Sequence, residues 1–359
     1  MAELSFKFIA GLADPSRLVG LCLGGSQLVK LWPIPKKLGN LKHLDLSCSF
    51  GLTKTHNFGD MPKLETLILE SCTNLEEVLP SLGHCRMLTY LDLFDCHKLK
   101  KLPELKLSNL KHLNLRGCGG LTETPNFGDM PNLETLYLWR CENLEEVHPS
   151  LGHCRMLTYL DLSDCHKLKK LPELKLGNLN NLNLSRCGGL TETPNFGDMP
   201  SLKALHLWWC KNLEEVHPSL GHCRMLIYLD LSDCHKLKKL PELKLSNLKN
   251  LNLGGCRGLT ETPNFGDMPN LKTLNFGGCK NLEEVHPSLG HCRMLTHLTL
   301  SDCHKLRKLP KFATMESLDK CTSLEEFLEI CGDMRRLTKL IKKSTGIRES
   351  FNRLHPLGI

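Results

Sequence analysis

Paired histidines and cysteines are the residues whose types and spacing most resemble a chemical site. His84, Cys85, Cys96 and His97 form the first set, and the same set returns three more times at intervals of 69 residues. Thiolates and imidazoles are the usual ligands of zinc. Cys85, however, lies three residues before a leucine that is predicted to be buried, at a position that is methionine or leucine in neighbouring segments of the chain. Cys96 lies at the far end of the same predicted strand. We therefore expect structural thiols beside exposed histidines, and no metal site.

Motifs for enzymatic chemistry are missing from the chain. The sequence contains no G-x-x-x-x-G-K-[ST] phosphate loop, no G-x-S-x-G elbow, and no Cys or Ser beside a plausible base outside the repeat described below. The single glycosylation sequon, Asn183-Leu184-Ser185, lies inside a predicted strand. We expect a protein that is not an enzyme and that needs no cofactor.

A nine-residue pattern, L-x-x-L-x-L-x-x-C, organises the chain. Its first and fourth positions are leucine in thirteen units, and its sixth is leucine in all but one, where Phe276 stands. Ser26 and Ser49 replace the cysteine in the first two units. Such a period is the signature of the leucine-rich repeat. It predicts an α/β-type repeat solenoid, a horseshoe with a parallel β-sheet on its concave face and loops or short 3₁₀ turns on its convex side.

The same period predicts the domain organisation. We expect an entry segment over residues 1–17, thirteen clear repeats over 18–311, and degenerate repeats or a loose cap over 312–359. Asn57-Phe58-Gly59-Asp60 returns at intervals of 69 residues, so a block of three repeats has been duplicated. The recurrence of a residue in this chain therefore partly reflects duplication of the block and does not by itself indicate function.

Charge and cysteine usage bear on partners and location. The formal net charge is +7, but the lysine runs, such as Lys98-Leu99-Lys100-Lys101, fall beside acidic runs of neighbouring repeats and lack stacking aromatics. They predict a solvated edge and no nucleic-acid tract. Eleven of the nineteen cysteines occupy position nine of the repeat, which predicts buried, reduced thiols in a reducing compartment. With no apolar run of about 18 residues and no secretory signal, we expect a cytoplasmic or nuclear protein without membrane contact.

Aromatic side chains are concentrated at positions predicted to line the concave face. When residues 105–173, 174–242 and 243–311 are aligned, nineteen columns differ. Twelve of these are among the fifteen predicted concave positions, which are repeat positions two, three, five, seven and eight of the three coils. Aromatic and arginine side chains dominate protein interfaces, so this face is predicted to bind a protein. We further expect the Arg116 guanidinium to lie between the rings of Phe94 and Trp139, beside an alternating charge row of Arg140, Asp164 and Arg186. The candidate binding residues are Tyr90, Phe94, Arg116, Tyr137, Trp139, Arg140, Tyr159, Asp161, Asp164, Arg186, His206, Trp208, Trp209, Tyr228 and Asp230.

Two stretches of the sequence resemble those of a known family. The unit from Leu110 to Leu121, together with Asn143-Leu144-Glu145-Glu146-Val147, resembles the repeats of plant intracellular immune receptors, and the opening from Phe6 to Trp32 resembles the start of the repeat region in the TIR, nucleotide-binding, leucine-rich-repeat class.

The resemblance implies a partner that is a pathogen protein or a modified host protein, and an autoinhibitory contact with the nucleotide-binding switch domain of a parent receptor. Neither the TIR nor the nucleotide-binding module lies in this chain, so their activities are not expected here. A non-immune scaffold, such as a substrate-selecting adaptor, and an extracellular receptor ectodomain are the alternatives.

Overall fold

The computed structural model describes residues 15–26 and 38–307. The chain forms two compact units, Met1–Asn183 and Leu184–Ile359. The predicted segment 312–359 and most of 1–17 lie outside the described residues. Thirteen strands of three residues each coincide with positions three to five of the thirteen predicted repeats. We number the coils in chain order, so that coil 1 begins at Leu18 and coil 13 at Leu295.

Within residues 15–26 and 38–183, the first unit contains eight strands. Neighbouring strands pair in parallel with the leucines of position four directly opposite each other, as in Leu21↔Leu44 and Leu136↔Leu160. The strands are β1 (Gly20–Cys22), β2 (His43–Asp45), β3 (Thr66–Ile68), β4 (Tyr90–Asp92), β5 (His112–Asn114), β6 (Thr135–Tyr137), β7 (Tyr159–Asp161) and β8 (Asn181–Asn183).

The second unit contains five strands with the same parallel register, as in Leu205↔Leu229 and Leu274↔Leu298. They are β9 (Ala204–His206), β10 (Tyr228–Asp230), β11 (Asn250–Asn252), β12 (Thr273–Asn275) and β13 (His297–Thr299). Consecutive parallel strands require a return segment in every coil, and here that segment is short and irregular.

Short 3₁₀ helices form part of the return segments, as predicted. The helix Pro149–His153 starts with proline, and the His148 side chain caps it by accepting a hydrogen bond from the Ser150 amide. The Ser150 hydroxyl in turn accepts from the Phe127 amide of the preceding coil at 2.7 Å, which ties neighbouring coils together. The 3₁₀ helices are Pro15–Arg17, Phe58–Asp60, Pro80–His84, Pro149–His153, Pro218–His222 and Pro287–His291.

Leucines of positions one, four and six fill the interior of each unit. Leu133, Leu136 and Leu138 of coil 6 are fully buried. Phe127, in the return segment of coil 5, is also fully buried. Because side chains alternate across a strand, the residues on either side of Leu136 point the opposite way and are half-buried. The sheet therefore divides scaffold residues from surface residues.

The cysteine ladder is buried, as predicted, and it also donates hydrogen bonds. Cys118 Sγ donates to the Leu93 carbonyl at 3.2 Å, and Cys141 Sγ donates to the Leu115 carbonyl at 3.2 Å. In each case the thiol of position nine reaches the carbonyl of position six in the preceding coil. Each of these carbonyls also accepts from the backbone amide of position nine in its own coil, as Leu93 O does from Cys96 N at 3.2 Å, so the thiol is a second donor and links neighbouring coils.

Candidate functional site

The candidate site lies on the side of the strands opposite the leucine core. We call this surface the sheet face, and it consists of repeat positions three, five, seven and eight. Positions three and five flank the buried leucine of each strand, and positions seven and eight form the turn that follows it. The fifteen predicted site residues all occupy these positions.

Position five ends the strand through its side chain. Asp92 Oδ1 accepts a hydrogen bond from the Phe94 amide at 2.9 Å, and Asn275 Oδ1 accepts one from the Gly277 amide at 2.8 Å. The same bond, from the amide two residues on, recurs with Asp or Asn in coils 2, 5, 7, 10 and 11. Asp and Asn favour such local turns, so position five is primarily a scaffold position.

Position eight has left-handed backbone in all thirteen coils. Glycine is found there in four of them, for example Gly117 with φ +70° and Gly278 with φ +78°. Arg140, Arg186 and Trp209 adopt the same conformation, with φ of +59°, +60° and +62°. The left-handed conformation costs a non-glycine residue about 1–2 kcal/mol. Bulky side chains at this position therefore stand where the scaffold favours glycine.

Two predicted site residues serve this turn. Asp161 and Asp230 are buried, with exposures of 6% and 8%. Asp161 Oδ1 accepts from both the amide and the hydroxyl of Ser163, and Asp230 makes the same pair of bonds with Ser232. These contacts occupy the carboxylates inside their own coils, so the geometry assigns them to the scaffold.

The first unit carries a cluster centred on coil 6. The Tyr137 and Tyr159 rings lie with centroids 5.2 Å apart, and Trp139 Nε1 donates to Asp164 Oδ2 at 2.9 Å. Arg140 is exposed, with its guanidinium 5.6 Å from the Trp139 ring centroid. We call these five residues, with Arg116, the coil-6 cluster.

Arg116 does not lie between Phe94 and Trp139, so that expectation was wrong. Its guanidinium lies over the Tyr137 ring, 4.0 Å from the centroid. Tyr137 projects from the strand itself, whereas Phe94 and Trp139 follow the strand ends, and the long arginine side chain folds back over the strand. Arg140 lies 3.8 Å from Glu142 of its own coil. The alternating charge row involves residues of both units and stays a prediction.

The second unit carries a cluster centred on coil 9. The Trp208 and Trp209 rings meet edge to face, with centroids 6.4 Å apart. The Arg186 guanidinium lies 5.4 Å from the Trp208 ring centroid and 5.9 Å from that of Trp209, and Lys211 Nζ lies 5.1 Å from the Trp209 ring centroid. Trp209 is 39% exposed. Together with the rings of His206 and Tyr228, which are tilted by 38° with centroids 5.0 Å apart, these residues form the coil-9 cluster.

Coil 4 adds two aromatic side chains to the face of the first unit. Tyr90 donates its hydroxyl hydrogen to Asp92 Oδ2 at 2.9 Å, and its ring lies 6.1 Å from that of His112. Burial, aided by the hydrogen bond to Asp92, raises the pKa of Tyr90 to about 12. The phenol therefore remains a neutral donor at physiological pH, and the half-buried Phe94 lies two residues beyond Asp92.

We call the lysine and glutamate runs of neighbouring coils, such as Lys100-Lys101 and Glu76-Glu77, the charged edge. Opposite charges do not alternate regularly along it. Lys54 and Glu77 pair at 2.7 Å in the first unit, as expected. Glu123 and Glu146, however, are bridge partners in neighbouring coils, and Glu192 and Glu215 repeat this arrangement in the second unit. The duplicated block therefore places two acidic residues opposite each other at these positions.

Within residues 15–26 and 38–307, no group of three or more His, Cys, Asp or Glu side chains is placed to hold a metal ion. Cys85 and Cys96 are both fully buried. In the same part of the chain, no helix has the length and apolar character needed to cross a membrane.

Comparisons with known proteins agree on one group of relatives. The chain is 32% identical to the TMV resistance protein N of Nicotiana glutinosa, in an alignment that covers 63% of this chain and 26% of that protein. It is 30% identical to the Protein SUPPRESSOR OF npr1-1, CONSTITUTIVE 1 of Arabidopsis thaliana, covering 93% of this chain and 25% of that protein. The chain thus spans about a quarter of the length of these relatives. No family model matches it.

Among solved structures, an internalin from Listeria monocytogenes aligns over 84% of this chain and 95% of its own, with 14% identity and a TM-score of 0.40. That score adds nothing to the fold assignment, which rests on the repeat and its strands. Together, the repeat and the sequence relatives identify the chain as a leucine-rich-repeat region of the kind carried by TIR-NBS-LRR plant disease resistance proteins.

Proposed function

We propose that this chain is the recognition region of an intracellular plant immune receptor and that the coil-6 and coil-9 clusters bind a protein ligand, either a pathogen effector or a modified host protein. The similarity to plant disease resistance proteins supports the receptor class. In a parent receptor, the same region restrains the nucleotide-binding switch until the ligand arrives. Buried thiols fit a reducing compartment, cytoplasmic or nuclear.

One observation carries the assignment to these clusters. Coils 6, 9 and 12 occupy the same place in the duplicated block, and coil 12 has the residues that the turn favours, with Asn275 at position five and Gly278 at position eight. Coil 6 has Tyr137 and Arg140 at these positions, and coil 9 has His206 and Trp209. Compared with coil 12, both coils lack the turn-forming side chain and the glycine, and carry large side chains instead. Such local costs are typical of functional surfaces.

Coil 12 also supplies the control. Giving coils 6 and 9 its pattern installs the turn residues that the same block already carries, so the scaffold should be retained. In what we call the coil-12 variant, the substitutions are Tyr137→Asn, Trp139→Gly and Arg140→Gly, with His206→Asn, Trp208→Gly and Trp209→Gly.

The test is co-purification from infected and uninfected plant tissue. We expect the wild-type chain to retain a protein present only after infection, or modified by it, and the coil-12 variant to lose that protein. Lys100→Gln with Lys101→Gln, on the charged edge, should retain it. Loss in the edge variant together with retention in the coil-12 variant would contradict the proposal, and infection-independent binding would favour a non-immune scaffold.

A further inference from the structure

Arg116 is held in one orientation on the face of the first unit. It occupies position seven of coil 5, and its guanidinium is stacked 4.0 Å from the Tyr137 ring centroid. Its backbone amide is also fixed, because it donates to Asn114 Oδ1 at 3.2 Å. A guanidinium on an aromatic face can still make in-plane hydrogen bonds through its two terminal nitrogens.

The charge of this guanidinium is not matched by the protein. Arg116 Nε is buried and has no hydrogen-bond partner. Among residues 15–26 and 38–307, no carboxylate forms an ion pair with Arg116, although Lys111 in the same coil pairs with Glu134 at 3.0 Å. A partly buried cation without an acceptor is costly for the fold. The same low-dielectric surroundings strengthen its attraction for an incoming anion.

Nearby carboxylates are already engaged elsewhere. Asp92 accepts from the Phe94 amide, from the Asn114 amide group at 3.0 Å and from Tyr90. Asp164 accepts from the Trp139 indole at 2.9 Å. Asp95 donates its amide to the Arg116 carbonyl at 2.8 Å, but its carboxylate lies beside Gly117 and forms no ion pair with Arg116 in the part of the chain that the structure describes. The anion that would complete the Arg116 site therefore comes from a bound partner.

We infer that Arg116 anchors a carboxylate, Asp or Glu, of the protein segment bound by the sheet face, an inference that rests on the proposed function. A carboxylate matches the planar fork of a guanidinium with two parallel hydrogen bonds. The aromatic side chains of the coil-6 cluster exclude water around that contact, as they do at interface hot spots.

The coil-9 cluster also places cations beside aromatic rings, in the second unit. Arg186 and Lys211 both lie beside the faces of tryptophan rings at 5.1 to 5.9 Å. Cations on aromatic rings thus characterise both clusters, and the complementary ligand is an acidic protein segment.

The probe is a library of random twelve-residue peptides, selected on the full chain and counter-selected on the coil-12 variant. We expect the selected peptides to be rich in Asp and Glu. Changing the acidic residue of a selected peptide to its amide should weaken binding to the wild-type chain about tenfold, and the same change should have almost no effect on binding to the Arg116→Gln variant.

Arg155→Gln is the matched control. It removes the same charge from an exposed arginine outside the sheet face and should bind as the wild type does. Arg116→Met tests folding, because it keeps the side-chain stem and removes the unpartnered donor. Its unfolding midpoint should equal or exceed that of the wild type while binding is lost.

The outcomes separate this inference from the proposed function. Peptides that need the sheet face but are indifferent to Arg116→Gln and to loss of their acidic residues would overturn the inference and leave the proposed function standing. A selection that yields no peptide dependent on the sheet face would contradict the proposed function itself.

Discussion

Alkaline pH should destabilise this protein progressively from about pH 9 upwards, because its buried thiols resist ionisation. Burial raises the pKa of three thiols from the ordinary 9.0 to about 11 and that of four others to about 12. The first three are Cys72, Cys223 and Cys292, and the others are Cys85, Cys141, Cys154 and Cys256.

The sign follows from the direction of these shifts. Each pKa is higher in the folded chain, so each thiol stabilises the fold fully below about pH 9, and this contribution is lost as the pH rises towards 11 or 12. Between pH 8 and pH 10, each thiol should remove about 1.3 kcal/mol from the free energy of unfolding. Seven thiols divided between the two units remove about 4 to 5 kcal/mol from each, a large part of the 5–15 kcal/mol typical of a domain.

Urea unfolding followed by tryptophan fluorescence, at several pH values in reducing buffer, measures this loss. Cys141→Ala, which removes one buried thiol, should reduce the pH-dependent loss by about 1.3 kcal/mol, whereas Cys22→Ala, at an exposed position, should leave it unchanged. An unfolding midpoint that stays constant from pH 8 to pH 10 would refute the reasoning, because it requires thiols that are either solvated or oxidised.

Three further predictions test scaffold, turn and chemistry. Leu136→Ala should lower the free energy of unfolding by about 2–5 kcal/mol, because it leaves a cavity. Trp139→Ala should lower it by about 1 kcal/mol, the value of its hydrogen bond to Asp164. Equal losses for the two variants on chemical denaturation would place Trp139 in the core. Gly119→Ala should be neutral or stabilising by up to about 1 kcal/mol, since its Cβ meets nothing within 4 Å, whereas Gly120→Ala places a Cβ 2.7 Å from the Leu99 carbonyl oxygen and should cost about 1–3 kcal/mol by the same measurement. Calorimetry should detect no ATP or ADP binding tighter than about 100 μM.

Leucine spacing alone predicted the scaffold of both units. A residue that must be apolar every few positions leaves one register for the strands, and Leu136 lies where that register places it. Position nine was also predicted correctly as buried, although the hydrogen bonds of its thiols depend on the spacing between coils, which the pattern of a single coil does not contain.

The turn after each strand was predictable but was overlooked. Asp or Asn at position five and Gly or Asp at position eight recur through the chain and report the local cap and the left-handed backbone. Reading these columns would have assigned Asp161 and Asp230 to the scaffold. The partner of Arg116 is different, because the direction of a long flexible side chain depends on the shapes of its neighbours, here the ring of Tyr137, and no sequence spacing encodes it.

This distinction shows how a binding surface can be separated from a scaffold within one repeat protein. Exposure alone does not discriminate, since the charged edge is more exposed than the mostly half-buried sheet face. The energetic cost of a residue type at its position does discriminate. Arg140 and Trp209 have the left-handed backbone at the position where coil 12 has glycine, so each destabilises its turn relative to that of coil 12. A side chain kept against the preference of its own turn is a candidate for contact with a partner, and this is the role that we propose for Arg140 and Trp209.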